Sequence, residues 1–170
     1  MTAVHEVTPK LPPRLFVRAA WIMHRAIYRV TGGRLGLWRP EAGGRFGTMR
    51  VRSVGRRSGQ PRVAIVGYYE DGPNLVTLAM NGWRDAQPAW WLNLQAQPDT
   101  TVDLADGSRP VRARAAAGEE RARLWAKFRD FRGWGDNPEA LAALRATETA
   151  VVVLEPRSPT LSSEKARETR

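Results

Sequence analysis

The octapeptide Gly55-Arg56-Arg57-Ser58-Gly59-Gln60-Pro61-Arg62 stands between two apolar runs that are rich in β-forming residues. Its glycines allow backbone conformations with positive φ and leave the neighbouring N–H groups unshielded by side chains. Amide dipoles and forked guanidinium groups can act together on one anion. The stretch therefore predicts a hairpin loop that binds an anion. The alternative is a loop of solvated arginines in an arginine-rich protein.

Outward from this loop, the apolar pattern has the period of extended strands. Residues 47–54 alternate Met49 and Val51 with Arg50 and Arg52, which puts apolar and charged side chains on opposite faces. Turn-forming segments separate further short runs that are rich in β-branched residues. The predicted strands are residues 47–54, 63–69, 75–80, 101–105, 110–116 and 150–154.

Helical patterns flank and interrupt these strands. The predicted helices are residues 14–30, 88–96, 119–131 and 138–145. Pro88 suits the first turn of a helix and Pro98 stops one. Short strands linked mostly as hairpins, with helices at the start, middle and end, favour a small barrel whose openings are covered by helices. A Rossmann domain is not expected, because there is no βαβ rhythm and no GxGxxG motif.

The composition restricts the chemistry that the side chains can supply. There is no cysteine and there are two histidines, which excludes thiolate chemistry and argues against a zinc site or a Ser–His–Asp triad. We therefore expect no metal site. Any chemistry must come from a cofactor or from Arg, Asp, Glu, Ser and Tyr side chains. The net charge of +10 favours anionic partners. Nucleic acid is not expected, because the arginines divide between one helix face and one compact loop.

The predicted helix of residues 14–30 has an apolar face opposite Arg14, Arg18, Arg25 and Arg29. Such a helix packs on the domain with a solvated basic face, or rests on an anionic membrane. No apolar run reaches the roughly 20 residues of a membrane span, and the N-terminus lacks a signal-peptide pattern. We therefore expect a cytoplasmic protein, with peripheral contact to the inner face of the membrane as the second reading.

Several segments, in their order and spacing, resemble the deazaflavin-dependent nitroreductase and quinone reductase family. These segments are residues 55–62, Asp71-Gly72, Asn81-Gly82, residues 88–94 and the closing run 151–156. The similarity covers roughly residues 20–156. It implies a six-stranded split β-barrel, mainly β with flanking helices (α+β). The implied organisation is a disordered N-terminus (1–13), a basic helix (14–31), the barrel domain (32–156) and a disordered tail (157–170).

The resemblance also implies coenzyme F420 as the cofactor, a polyanion with a phosphodiester and a poly-glutamate tail. The residues that match the family's cofactor site are Arg56, Arg57, Ser58, Gly59, Gln60, Pro61, Arg62, Thr77, Leu78, Ala79, Met80, Asn81, Gly82, Pro88, Ala89, Trp90 and Asn93. Of the neighbouring pair Trp90 and Trp91, we assign Trp90 to the cofactor and Trp91 to the core.

The implied activity is hydride transfer from F420H2 to a quinone-like or other electron-poor, lipophilic acceptor. Family members that reduce nitroimidazoles and quinones carry a Ser and a Lys in the loop that here reads Ala79-Met80-Asn81-Gly82-Trp83. We therefore expect a more apolar acceptor pocket, and nitro reduction is left open. The expected lining residues are Trp83, Phe128, Phe131 and Trp134.

The proton donor and three wider questions stay open. Tyr68, Tyr69 and water are the candidate donors, and only one of two adjacent strand residues can face the pocket. A barrel that holds F420 or a lipid without turnover is one alternative function. A relative that binds FMN or haem is another. A homodimer is the expected form if the chain self-associates.

Overall fold

The computed structural model describes residues 36–41, 43–80, 86–131, 142–143 and 145–157. Within these residues, six antiparallel strands close into a barrel in the order β1-β2-β3-β6-β5-β4. The strands are β1 (Gly47–Val54), β2 (Pro61–Asp71), β3 (Asn74–Leu78), β4 (Asp99–Leu104), β5 (Gly107–Ala115) and β6 (Val151–Pro156). The predicted six-stranded barrel is confirmed.

Within the described residues, two complete helices lie outside the sheet. Helix α1 (Ala89–Ala96) begins after Pro88, whose backbone is extended, and packs against β1, β2 and β5. Helix α2 (Gly118–Lys127) carries acidic residues in its first turn and Lys127 in its last, as the helix dipole favours. A 3-10 turn (Phe128–Asp130) follows α2, so the predicted helix of residues 119–131 is a helix and a turn.

Several predicted segments lie outside the described residues. These are the N-terminal segment and helix of residues 1–31, most of the helix of residues 138–145, and the tail from residue 158 onward. Arg157, assigned to the tail, is described: its N–H donates to the Pro110 carbonyl over 3.0 Å, and its guanidinium lies 3.0 Å from the Asp99 carboxylate. In the described ranges, no helix has the length and apolar character needed to span a membrane.

The strands bury apolar side chains on both faces of the sheet. One cluster fills the barrel interior and includes Met49, Val51, Tyr68, Trp90, Trp91, Leu94, Val102, Val152 and Leu154. The other, which we call the outer cluster, lies between the sheet and α2 and includes Tyr69, Val76, Leu78, Leu124, Phe128, Val151 and Val153. The alternation of β6 between the two clusters explains why this strand is a continuous apolar run.

The barrel has two distinguishable ends. The turn between β1 and β2, the end of β3 and the start of β6 lie at one end, because Val54 pairs with Pro61 and Leu78 pairs with Val151. We call this the loop end. The β2–β3 and β4–β5 turns lie at the opposite end.

Strands β2 and β3 diverge toward the loop end. β2 pairs with β1 from Pro61 to Tyr68, whereas its pairing with β3 begins only at Tyr69 and Val76. The Thr77 hydroxyl donates to the Gly67 carbonyl over 2.6 Å where the strands separate. β2 and β3 are therefore not paired between residues 61–67 and the stretch after β3, and we call this unpaired region the groove.

An ion-pair cluster holds α2 to the β2–β3 turn. Arg123 donates two hydrogen bonds to the Asp71 carboxylate, at 3.0 and 2.9 Å, and Lys127 donates another. The Arg123 and Lys127 hydrogen bonds hold the pKa of Asp71 at about 2. The Asp71 side chain is 16% exposed, so this cluster is less screened by water than the pairs made by Asp99 and Asp106, which are 38% and 31% exposed.

We expect Asp71 to make the stability of the fold depend on acid pH. Its folded pKa of about 2 lies below the ordinary value of 3.8, so the stabilisation is present above about pH 4 and is lost as the pH falls through 2. Because its partners are half-exposed, Asp71→Asn should cost about 1–2 kcal/mol at neutral pH. Urea unfolding between pH 7 and pH 2.5 measures this.

Asp99→Asn is the matched control, since Asp99 also pairs with two arginines but has a side chain that is 38% exposed. Its loss should be smaller. A variant lacking Asp71 that keeps the wild-type dependence of stability on pH would contradict the assignment.

Candidate functional site

The loop between β1 and β2 is a tight turn closed by its own backbone. The Gly55 N–H donates to the Gln60 carbonyl over 2.8 Å, and the N–H groups of Ser58 and Gly59 donate to the Gly55 carbonyl over 3.1 and 2.7 Å. Gly59 has a φ of +64°, in the region that favours glycine. A Cβ on Gly55 would lie 2.6 Å from the Ser58 hydroxyl oxygen. The backbone conformation therefore favours glycine at position 59, and a side chain at position 55 would require the Ser58 hydroxyl to move.

Most amides of this loop are used within the protein. Besides the three amides used inside the turn, the Arg56 N–H donates to Asn93 Oδ1 over 3.2 Å. The Gln60 N–H donates to the Ser58 hydroxyl oxygen over 3.4 Å. Of residues 55–60, this leaves the Arg57 N–H without a hydrogen-bond partner in the described part of the chain, so an anion at this loop would be bound chiefly by side chains.

The loop arginines differ from the other arginines of the barrel in their partners. Arg56, Arg57 and Arg62 are exposed, and within the described part of the chain none of them lies in an ion pair. Elsewhere on the sheet the arginines are paired with carboxylates: Arg50 and Arg52 with Asp103, Arg112 with Asp99, and Arg114 with Glu120 and Glu155. Of the described arginines on the strands and their turns, these three at the loop end are thus the ones without a carboxylate partner. Arg45, before β1, is also exposed and without an ion pair, but its guanidinium lies over the Trp38 ring, 5.4 Å from the centroid.

Arg62 also directs this charge toward the groove. It is paired with Ser53 across the ladder, so both side chains lie on the inner face of the sheet. Its guanidinium donates to the Ser58 hydroxyl over 3.4 Å, which brings a hydroxyl and a guanidinium together at the groove's edge.

The side-chain amide of Asn93 connects α1 to the loop. Its Nδ2 donates to the Ser53 hydroxyl over 3.2 Å, and its Oδ1 accepts from the N–H and the guanidinium of Arg56 over 3.2 and 3.5 Å. Asn93 is 4% exposed. The sequence predicts a cofactor contact for this residue, whereas in the structure both ends of its amide have protein partners beneath the loop.

The opposite wall of the groove continues from β3. Thr77, Leu78 and Ala79 are buried, and Met80 is half-buried. The Leu78 side chain belongs to the outer cluster, so its part in a groove site would be through its backbone. The predicted contacts Asn81, Gly82 and Trp83 lie outside the described residues.

The start of α1 covers the loop end of the barrel. Pro88 is buried and Ala89 is exposed. Trp90 and Trp91 are 7% and 3% exposed, with ring centroids 6.2 Å apart, and both belong to the interior cluster. Burial therefore does not separate the two indoles, and the assignment of Trp90 to a cofactor stays a prediction.

The two candidate tyrosines face opposite sides of β2, as their adjacency requires. The Tyr69 hydroxyl donates to the Leu124 carbonyl over 2.7 Å in the outer cluster, and burial raises its pKa. Tyr68 faces the barrel interior. Burial raises the pKa of Tyr68 to about 12, and its buried hydroxyl has no hydrogen-bond partner among the described residues.

The described members of the predicted acceptor pocket are not brought to the groove. Phe128 is fully buried and packs edge-on against Tyr69, with ring centroids 4.8 Å apart. Phe131 stacks on the same ring at 5.3 Å. Both rings follow directly from α2, which packs on the outer face of the sheet, so they join the outer cluster. Trp83 and Trp134 lie outside the described residues.

Arg145 is a buried charged residue at the loop end that sequence reasoning missed. It is 7% exposed, and its guanidinium donates to the carbonyls of Ala79 and Ala86 over 3.3 and 3.4 Å and to the Thr149 hydroxyl. A lone arginine in an alanine-rich stretch has no pattern that distinguishes it from a solvated one. Its burial arises from long-range contacts that no local signal encodes.

Loss of the Asn93 amide should destabilise the protein through the loop. Asn93→Ala leaves the Ser53 hydroxyl and the Arg56 N–H without their partner, and a buried unsatisfied polar group costs about 1–3 kcal/mol. Urea unfolding of the variant measures the loss. Gln95→Ala, on an exposed position of the same helix, is the control and should change stability by less than about 0.5 kcal/mol. Equal stabilities of the two variants would contradict the bridging role.

Comparison with known proteins gives consistent results. A family model described as F420H(2)-dependent quinone reductase matches residues 21–156. An F420H(2)-dependent quinone reductase of Mycobacterium tuberculosis is 31% identical over 105 residues, which is 61% of this chain and 68% of that protein. A second protein of that organism, provisionally named for the same activity, is 37% identical over 78 residues. That match covers 46% of this chain and 66% of the relative, just under two thirds of its length.

Solved structures share the fold. One described as a domain-swapped dimer has a TM-score of 0.59 at 21% identity and covers 81% of this chain and 99% of its own. An F420-H2 dependent reductase has a TM-score of 0.57 at 21% identity, with 71% and 99% covered. At this identity the likeness shows the fold alone.

Proposed function

The chain belongs to the F420H(2)-dependent quinone reductase family, and from this membership we propose that it transfers a hydride from F420H2 to a quinone-like or other electron-poor acceptor. The structural observation that carries the proposal is the set of three arginines without ion pairs at the open end of a groove. A protein that only bound F420 would use the same loop. The arginines therefore support binding of the cofactor, and the family membership supports the hydride-transfer reaction.

The residues present fit a polyanionic cofactor. Guanidinium groups bind phosphate in a bidentate manner, and Arg56, Arg57 and Arg62 offer three forks beside the Ser58 hydroxyl. Gly59, Gln60 and Pro61 shape the turn that carries them. We propose that these side chains hold the phosphodiester and its anionic neighbours, with Asn93 supporting the loop from below.

The groove gives the chain its part in the reaction. When bound, the deazaflavin supplies the hydride. Ala64 and Val66, which are half-buried and pack against the interior cluster, line the β2 side of the groove. On the β3 side Ala79 is fully buried and Met80 packs against the outer cluster, so that side would contribute backbone and not exposed side chains. Apolar walls exclude water and favour a flat, lipophilic acceptor over a charged one. We propose a quinone of this kind as the acceptor class.

Solvent is the proton source that the geometry favours. A proton donor has to be reprotonated in every turnover, which requires a route to water. The Tyr68 hydroxyl has no exposed surface, and the Tyr69 hydroxyl is bonded to Leu124 on the other face of the sheet. We therefore propose water entering the groove as the donor in place of either ring.

Cellular placement and assembly are further proposals. A cytoplasmic protein that contacts the membrane surface through residues 14–30 would meet lipophilic quinones where they partition. A homodimer would be consistent with the family's barrel. Vesicle flotation and analytical ultracentrifugation of the full chain test these two points separately.

Neutralising the loop arginines should weaken F420 binding. A hydrogen bond to a charged group contributes about 1.5–3 kcal/mol, so Arg57→Gln and Arg62→Gln should each raise the Kd about 10- to 100-fold. Added salt should weaken wild-type binding more than variant binding, because fewer charges are screened in the variants. Fluorescence titration with F420, alongside FMN and haem, measures this.

Arg109→Gln gives the same change in net charge at the opposite end of the barrel and should leave the Kd unchanged. Binding of FMN or haem without binding of F420 would instead indicate a different cofactor on this barrel. F420 binding with no oxidation of F420H2 by any quinone of a panel would favour the non-catalytic alternative.

Removal of the Tyr68 hydroxyl should leave turnover intact. If water supplies the proton, Tyr68→Phe should keep kcat within about twofold, whereas loss of a general acid costs about 100-fold or more. Since the lost hydroxyl is buried and unpaired among the described residues, stability should be unchanged or higher by about 1 kcal/mol. Steady-state kinetics and urea unfolding measure both effects. A large loss of kcat at wild-type stability would make Tyr68 the donor.

A further inference from the structure

Arg145 joins three parts of the chain at the loop end. Ala79, whose carbonyl accepts from Nη1 over 3.3 Å, directly follows β3. Ala86, whose carbonyl accepts from Nη2 over 3.4 Å, precedes α1. Thr149, whose hydroxyl accepts from Nη1, precedes β6. One guanidinium therefore connects the end of one groove wall to the approach of the helix that covers the groove.

Other bonds from the same segment support this connection. The Ala79 N–H donates to the Ala150 carbonyl over 2.9 Å, and the Gln87 side chain donates to the Glu148 carbonyl over 3.1 Å. The segment of residues 145–150 thus contacts two sides of the loop end, namely the residue after β3 and the residues before α1. Arg145 is the residue of this segment that bonds to both sides at once.

The guanidinium is suited to fixing a distance. It is planar and holds its N–H donors in a rigid fork, so two carbonyls bonded to different nitrogens are kept at a set separation. A lysine ammonium has the same charge but a single nitrogen on a flexible stem. Arg145 is 7% exposed, which limits the freedom of its side chain further.

We propose that Arg145 is a positioning residue for cofactor binding: by bonding to Ala79 and Ala86, it sets the spacing between the β3 wall of the groove and the start of α1. This inference rests on the proposed function. The ligand is the ring system of the deazaflavin, which needs a slot of fixed width. The spacing, and not the positive charge, is what Arg145 contributes.

The test compares Arg145→Lys and Arg145→Met with Arg121→Met. Arg145→Lys keeps the positive charge but loses the forked guanidinium. If Arg145→Met does not fold, Arg145→Lys alone is compared with the control. Arg121 is the matched control, because it donates to the Thr149 carbonyl over 3.4 Å and pairs with Glu148 at 2.9 Å on the same segment. Its described bonds do not include the groove walls.

Two readouts are made on the full-length protein. Hydrogen–deuterium exchange without cofactor should increase about tenfold in peptides covering residues 76–80 and 86–94 for both Arg145 variants, and stay at the wild-type level for Arg121→Met. F420 titration should give a Kd raised about tenfold for both Arg145 variants. In turnover, KM for F420H2 should rise more than kcat falls.

The outcomes separate the two claims. Wild-type exchange in the Arg145 variants, or raised exchange with an unchanged Kd, would overturn the positioning role. A wild-type Kd in Arg145→Lys with a raised Kd in Arg145→Met would overturn the spacing argument in favour of charge. Absence of F420 binding by the wild-type protein would contradict both the proposed function and the cofactor role of Arg145. The exchange data would still show whether the Arg145 hydrogen bonds to Ala79 and Ala86 hold these two segments in place.

Discussion

The site depends on how far β2 and β3 pair with each other. β2 is bonded to β1 from Pro61 to Tyr68, but β3 joins it only from Tyr69 onward. Full pairing would continue the ladder between the two strands to the arginine loop. The partial pairing leaves an unpaired stretch beside that loop, and α1 packs at the same end of the barrel. The β1–β2 loop, α1 and residues 145–150 all lie at this end of the barrel, where β2 and β3 are not paired.

Charge distribution gives this gap its chemical character. The protein has a net charge of +10, yet the described arginines of the outer sheet faces are held in ion pairs with Asp99, Asp103, Glu120 and Glu155. Those pairs have little attraction left for an external anion, since each guanidinium fork already has a carboxylate. Within the described residues the loop arginines have no carboxylate partner. Their positive charge is therefore concentrated at the loop end, where it can attract an external anion.

Local patterns predicted the barrel, and long-range contacts set the details that they missed. Strand alternation and turn residues are encoded within a few positions, so the six strands were found with small shifts at their ends. The use of the loop amides, the bridging by Asn93 and the burial of Arg145 depend on residues far apart in the chain. The position of Phe128 in the outer cluster has the same origin: it follows from the face of the sheet on which α2 packs, which periodicity does not specify.

Single-turnover kinetics test most directly whether this groove holds F420H2 for hydride transfer to a quinone. Protein mixed with one equivalent of F420H2 is combined with excess menadione, and the absorbance of the oxidised deazaflavin is followed. We predict a protein-dependent exponential phase that is much faster than the uncatalysed oxidation and is lost when Arg57 and Arg62 are both replaced by glutamine. An oxidation rate equal to that without protein, under conditions where F420H2 is bound, would contradict the claim.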